Sequence, residues 1–207
     1  MSVKQVHIIR HGQTEFNTER RLQGAMPVPL NDQGRQESHA LGQCLAGWSI
    51  DAIYTSPRAR ANETAQIIGG YLALPVYEDE RLAEIAFGDF EGHTFAEVAQ
   101  LYPVAYEKWE SGYRRYRVPG GESRLDVQLR MEAAWRDITN ADNGNLTVAI
   151  VGHSSAMMIF LAAMFAFSPS KPVVNTSITT LERYQEIWRI RSFAGTPHLG
   201  GSSGSSV

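Results

Sequence analysis

Apolar positions divide the chain into short strand-like runs and longer segments of helical period. Val6-His7-Ile8-Ile9 is a compact apolar run that stops at Arg10-His11-Gly12, the pattern of a buried strand feeding a turn. After a polar, turn-rich stretch to Leu30, a helix is expected from Asn31, a candidate N-cap, to about Ala46. Asp51 to Thr55 reads as a second strand, and Ser56-Pro57 opens a helix to about Tyr71, since proline is tolerated in a first helical turn. An extended piece near Pro75 to Tyr77 is followed by the least regular region, His93 to Ser123, aromatic-rich and broken by Pro103, Pro119 and Gly120-Gly121. Glu122 to Ala141 is helical in pattern, Leu146 to Val151 is a strongly apolar strand, and Ala156 to Phe167 is an apolar helix. Two β-type runs, Val173 to Glu182 and Glu186 to Phe193, close the pattern.

Strands alternating with helices predict an α/β fold, a three-layer sandwich with a mainly parallel central sheet and helices on both faces. One domain is expected over residues 1–200, with a lid near 93–123. The Gly/Ser-rich residues 201–207 read as a disordered tail.

Composition changes this picture little. Lys plus Arg number 19 against 22 Asp plus Glu, a formal charge of −3, which argues against a generally basic nucleic-acid binder. The 12-residue run from Ala156 falls short of the roughly 20 residues of a membrane span. The first ten residues lack a signal-peptide layout, and the single Cys44 permits no intramolecular disulfide, so a cytoplasmic location is expected.

In α/β sheets of this kind, ligands gather beyond the carboxyl ends of the strands. Two predicted strands end on histidine, at Arg10-His11-Gly12 and Gly152-His153-Ser154, and a third ends at Thr55-Ser56 with Arg58 and Arg60 just beyond. Cationic donors around an imidazole suit a dianionic phosphoryl group, whose charge spreads over its equatorial oxygens in transfer. Arg10 and Arg60 can each give paired hydrogen bonds to those oxygens. Their charges also disfavour protonated imidazole, leaving His11 neutral and nucleophilic. His153 can donate an N–H to a phosphoryl oxygen. The leaving alkoxide then needs a proton: Glu84 has apolar neighbours on both sides, yet on composition alone it is no better a candidate than Glu91.

These motifs resemble the histidine phosphatase superfamily, in its phosphoglycerate mutase-like branch. The likeness runs through Arg10-His11-Gly12-Gln13-Thr14-Glu15-Phe16-Asn17, Arg21-Leu22-Gln23-Gly24, Thr55-Ser56-Pro57-Arg58-Ala59-Arg60-Ala61, and Leu82-Ala83-Glu84 with Gly88 and Glu91-Gly92. It resumes at Pro119-Gly120-Gly121-Glu122-Ser123, Val151-Gly152-His153 and Asn175-Thr176-Ser177-Ile178. The resemblance implies that His11 is the phosphorylated nucleophile and that Arg10, Arg60 and His153 bind the phosphoryl group. It further implies that Asn17, Gln23 and Gly24 line the pocket and that Glu84 is the proton donor. Arg58 and Ser154, which are not part of the family pattern, are candidate substrate-binding residues by their position at the strand ends. The resemblance implies no metal and no cofactor. The expected partner is a small phosphorylated metabolite, with neither nucleic acid nor membrane, and a homodimer is left open.

The chain departs from the family pattern at Ser154-Ser155, where glycine usually follows the second histidine, at Arg58 in place of leucine, and at Pro27 in place of an acidic residue. The serine hydroxyls are left between touching phosphate and capping the helix. Three other readings stand beside the phosphatase. A bisphosphoglycerate-dependent phosphoglycerate mutase shares the first half-reaction, although the resemblance associates mutases with longer chains. A serine esterase would use Ser154 in Gly152-His153-Ser154-Ser155-Ala156 as a nucleophile elbow, but no Asp follows it. A phospho-ligand binding module would lack turnover. His7 reads as a packed histidine rather than a metal ligand. Phe95, Tyr102, Tyr106, Trp109, Tyr113 and Tyr116 divide between lid and packing, and Arg114, Arg115 and Arg117 read as a solvated turn.

Overall fold

The computed structural model describes residues 3–140, 146–168, 173–200 and 205–206. Its strands are β1 (Gln5–Arg10), β2 (Ala52–Thr55), β3 (Val76–Glu78), β4 (Thr147–Gly152), β5 (Ile178–Tyr184), β6 (Ile187–Gly195) and β7 (Ser205–Ser206). The helices are α1 (Glu15–Thr18), α2 (Asp32–Leu45), α3 (Ala59–Leu72), α4 (Phe95–Leu101), α5 (Pro103–Glu110), α6 (Arg124–Asn140) and α7 (Ser154–Phe165).

The strands form one sheet in the order β3-β2-β4-β1-β5-β6-β7. The β3-β2-β4-β1 half is parallel, and the pairings of β5, β6 and β7 are antiparallel, so the sheet is mixed with a parallel half. The two-residue period of a strand explains why Val148 to Val151 of β4 are apolar on both faces, and Val6 to Ile9 of β1 likewise except for His7. Val6, Ile8, Val148 and Ile150 face one side, with Met131, Trp135, Met157 and Phe160 of α6 and α7. Ile9, Ala149 and Val151 face the other, with Leu41, Leu45, Ala61 and Ile68 of α2 and α3. Both faces of the sheet are therefore covered by helices, the predicted three layers. No helix among the described residues is long and apolar enough to cross a membrane.

β4 returns between β1 and β2, with Arg10 opposite Gly152 and Thr55 opposite Val151. The ladder runs one residue beyond each end, since His11 N–H bonds to Gly152 O and Ser56 N–H to Val151 O, both at 3.0 Å. The loops after β1, β2 and β4 consequently start from one edge. The first is pressed onto α2, where Asn31 caps the helix by accepting the Gly34 N–H at 2.8 Å. A Cβ on Gly34 would lie 2.1 Å from Gln13 O, so only glycine admits this contact.

Several predicted boundaries move. α3 begins at Ala59 rather than Ser56, because Arg58 stays extended as N-cap (φ −63°, ψ 132°). The irregular region contains α4 and α5. α4 starts with a capping box between Thr94 and Glu97, and Pro103 opens α5 at a position that needs no N–H. Val173 to Ser177 is a loop, not the start of a strand. Thr176 has φ 54°, and its N–H turns to the carbonyls of Arg10 and His11 at 3.0 and 3.3 Å. The predicted end of α6 at Ala141 lies outside the described residues, as does most of the Gly/Ser tail. The tail is not wholly free of structure, however. Ser205–Ser206 pairs with β6, whose open edge offers unpaired backbone groups.

Candidate active site

His11 is buried at the end of β1, with 2% exposure. Its Nδ1 lies 2.7 Å from the carbonyl oxygen of Gly12. A carbonyl only accepts, so Nδ1 carries the hydrogen and Nε2 presents a lone pair. Burial first, then the charges of Arg60 and Arg10, hold the imidazole well below its ordinary range and thus neutral at physiological pH. The His153 ring packs beside it, centroids 5.2 Å apart.

His153 follows β4 and is also fully buried. Its Nε2 is 2.8 Å from Ser56 Oγ, which accepts the Arg58 N–H at 3.2 Å. With the hydroxyl proton given to His153 Nε2, the imidazole hydrogen sits on Nδ1. Burial, with Arg60 the largest neighbouring charge, keeps His153 neutral as well. Its Nδ1 is buried and has no protein partner.

The guanidiniums are held by carbonyls rather than carboxylates. Arg10 donates to Val173 O. Arg60, 1% exposed, donates to Gly24 O at 2.9 Å and Met26 O at 3.2 Å. Burial pushes the Arg60 guanidinium down to about 10, still well above neutrality. The Nε atoms of Arg10, Arg58 and Arg60 are buried with no protein partner, like His153 Nδ1. Unpaired buried donors of this kind cost roughly 1–3 kcal/mol each, and an anion with several oxygens removes that cost. The arrangement is thus a neutral nucleophile beside donors suited to an oxyanion. Arg58 adds positive charge close enough to Arg60 to depress it.

Glu84 sits in a loop between two single turns of 3₁₀-helix, Glu80–Leu82 and Gly88–Phe90. Its Oε1 accepts the N–H groups of Ile85 at 3.0 Å and Ala156 at 2.8 Å, and its Oε2 accepts Ser155 N–H at 3.2 Å. The carboxyl therefore caps the first turn of α7, a task left open by the N-cap residue His153, whose side chain makes no capping bond. Oε2 has one such partner and keeps a lone pair for a proton. Glu84 also lies close enough to Arg10 and Arg60 to raise both, against the larger effect of burial.

Glu91 has a different task. Its Oε1 accepts Ala25 N–H and Phe87 N–H, each at 2.9 Å, and ties the loop after β1 to the Glu84 loop. Gly24 makes room for that carboxylate: it has φ +47°, and a Cβ there would lie 2.0 Å from Glu91 Oε1.

Asn17 reaches His11 through a residue missing from the predicted set. Asn175 Nδ2 donates to His11 O at 2.9 Å and to Asn17 Oδ1 at 3.1 Å. Asn17 Oδ1 also accepts from the amide and hydroxyl of Thr14, so only its amide nitrogen remains to offer. Gln23 is buried with Oε1 unpaired. Ser154 and Ser155 neither cap α7 nor join a triad. They line a neighbouring cavity, and among the described residues no histidine bonds to Ser154, since His153 is engaged by Ser56 and His198 by Thr176. His7 is packed, bonded to Thr180 Oγ1 at 3.0 Å and edge-on to Trp48. Among the described residues, no three His, Cys, Asp or Glu side chains gather as a metal site.

Arg130 and Ser56 were also not legible as site residues. Arg130 donates to Arg81 O at 2.8 Å, Ala83 O at 2.7 Å and Glu84 O at 3.2 Å, and pairs with both oxygens of Glu122. Glu122 in turn accepts Ala86 N–H at 3.0 Å. The Pro119-Gly120-Gly121-Glu122-Ser123 motif was the available signal for this clamp, and Thr55-Ser56-Pro57 was the signal for Ser56.

Residues 6–196 match the family model of the histidine phosphatase superfamily (branch 1), and the chain belongs to that superfamily. It is 31% identical over 199 residues to the uncharacterized phosphatase PhoE of Bacillus subtilis, covering 95% of this chain and 97% of that protein. It is 30% identical over 209 residues to the probable phosphoglycerate mutase GpmB of Yersinia enterocolitica, covering 94% of each. Among solved structures, a mycobacterial glucosyl-3-phosphoglycerate phosphatase complexed with VO3 superposes with TM-score 0.82 at 27% identity, covering 92% of this chain and 98% of that one.

Proposed function

We propose that this member of the histidine phosphatase superfamily is a phosphoric monoester hydrolase acting on small phosphorylated metabolites through a phosphohistidine on His11. The observation that carries the reading is the Nδ1–H bond of His11 to Gly12 O, which leaves Nε2 as a buried, neutral nucleophile among guanidiniums. In the first step Nε2 forms a bond to phosphorus as the ester P–O bond breaks. Arg10, Arg60 and His153 Nδ1–H receive the phosphoryl oxygens, with Asn17 and Gln23 beside them. The Glu84 carboxyl gives its proton to the leaving alkoxide. In the second step Glu84 takes a proton from water, the hydroxide oxygen attacks phosphorus, and the P–N bond breaks to release inorganic phosphate and restore His11. The lone free thiol, Cys44, supports a cytoplasmic location.

Likeness to GpmB favours one second reading, in which another substrate hydroxyl rather than water takes the phosphoryl group. Phosphate release from para-nitrophenyl phosphate and from 3-phosphoglycerate, with and without 2,3-bisphosphoglycerate, separates the two. The expected result is release that His11→Ala lowers by roughly a thousandfold or more and Ser154→Ala preserves. Bisphosphoglycerate-dependent isomerisation without release would establish the mutase instead.

A further inference from the structure

A cavity of about 490 Å³ adjoins the phosphoryl site, within the range of small-molecule pockets. Ile85, Ser154 and Ser155 form the wall it shares with the catalytic groups: Ile85 follows Glu84, Ser154 follows His153, and Ser155 N–H holds Glu84 Oε2. A leaving group whose ester oxygen meets Glu84 would extend into this space. The remaining walls include Phe87, Met158 and Ile159, which carry no hydrogen-bonding group, and the ring of Trp109, whose buried Nε1–H has no protein partner. A sugar or glycerol hydroxyl placed against Phe87, Met158 or Ile159 would lose its water partners without replacement. An aryl or alkyl body gains from the same surface.

Two guanidiniums interrupt the apolar lining. Arg124 lies over the Trp109 ring at 5.1 Å and donates to the Trp109 carbonyl at 3.3 Å. Arg114 is bonded to Gln128, a neutral side chain on α6. Among the described residues neither has a carboxylate within ion-pair distance, unlike Arg117 on the same loop, which pairs with Asp126. Cations held by neutral partners at an apolar surface form strong charge-assisted bonds with an incoming anion.

We propose that this cavity takes the leaving group, and that the preferred substrate is the phosphate monoester of an aryl or alkyl alcohol bearing a second anionic group, carboxylate or phosphate, received by Arg124 and Arg114. The proposal rests on the phosphatase reading for its chemistry, but its geometry can be tested separately.

The test compares kcat/KM for glycerol 1-phosphate, phenyl phosphate, 4-carboxyphenyl phosphate and 1,4-phenylene bisphosphate. It uses the wild type and the variants Arg124→Gln, Arg114→Gln and Ala162→Phe, the last narrowing the cavity. Phenyl phosphate is expected to exceed glycerol phosphate by about tenfold or more, and one of the two charged aryl esters to exceed phenyl phosphate by a further factor of about ten. The better of the two identifies the anion. Either arginine variant should lower the ratio of charged to uncharged aryl ester about tenfold, and Ala162→Phe should lower the ratio of aryl to glycerol ester. Equal or better turnover of glycerol phosphate, or charged-to-uncharged ratios that neither arginine variant changes, would overturn the assignment. Calorimetric binding of 4-carboxybenzylphosphonate covers the case of no turnover. Binding that weakens in Arg124→Gln then supports the cavity while refuting the phosphatase reading, and an arginine-independent affinity refutes the cavity.

Discussion

Ser56 Oγ stands 2.8 Å from His153 Nε2, and a hydroxyl proton donated across this contact places the imidazole hydrogen on Nδ1. Without the hydroxyl, the neutral ring is free to adopt the other tautomer, which offers a lone pair instead of a donor at Nδ1. Ser56→Ala should lower kcat by about tenfold or more, within the range for losing one oxyanion donor, and Ser56→Thr should recover part of it. Steady-state kinetics at saturating substrate checks this. An unchanged kcat in Ser56→Ala would remove Ser56 from the account.

The charge on Arg60 helps to keep His11 unprotonated, second only to burial. Arg60→Gln removes a positive neighbour, so the His11 pKa must rise. The acid limb of kcat/KM should therefore move to higher pH relative to wild type on the same substrate, in addition to a general loss of rate. A pH–rate profile from 4.5 to 8 reads the shift. A limb that stays in place or moves to lower pH would contradict the electrostatic argument.

Arg130 touches no reacting atom, yet its guanidinium gathers the carbonyls of Arg81, Ala83 and Glu84 while paired to Glu122. It is a positioning residue for the Glu84 loop. Arg130→Ala should lower kcat by about a hundredfold, the cost of misplacing a catalytic group by an ångström, with little change in KM. Arg130→Lys should recover little, because an ammonium cannot span the same fork. A rise in KM with kcat intact would assign Arg130 to binding instead.

His7 lies in the middle of β1, where burial pushes its imidazole down to about 4 against an opposing pull from Glu182. The unfolded chain binds this proton near 6.5, so the unfolded state holds more protons between the two values. The stability of neutral His7 is fully present above about pH 6.5 and is lost as pH falls toward 4, a span of roughly 3 kcal/mol. Urea unfolding from pH 7 to 4 should show a shallower decline for His7→Gln than for wild type. Equal slopes would place the acid sensitivity in other groups.

How much of this was legible depended on where each residue finds its partners. Val6 to Ile9 and Leu146 to Val151 announce themselves because strands covered on both faces are apolar at nearly every position, His7 and Thr147 apart. The strand-end histidines and arginines then follow from the sheet's polarity. Pro103 misled in the opposite direction: read as a breaker, it is the first residue of α5, and Thr94 with Glu97 already spelled the cap of α4. Val173 to Ser177 has strand-like composition, but its backbone bonds turn toward the end of β1. Glu84 and Glu91 differ only through contacts 66 and 72 residues away, at Ala25 and Ala156, which local pattern does not encode. The Arg130 clamp was hidden for the same reason.

Every hydrogen bond described for Glu84 comes from its own loop, α6 or α7, and none from α4 or α5. The proton-transfer group and the segment over the neighbouring cavity are thus separately anchored. The helices α4 and α5 can diverge, or be exchanged between relatives, while the acid stays where the reaction needs it, held by Glu122 and Arg130. A scaffold divided in this way lets selection retune which esters are accepted without rebuilding how they are cleaved.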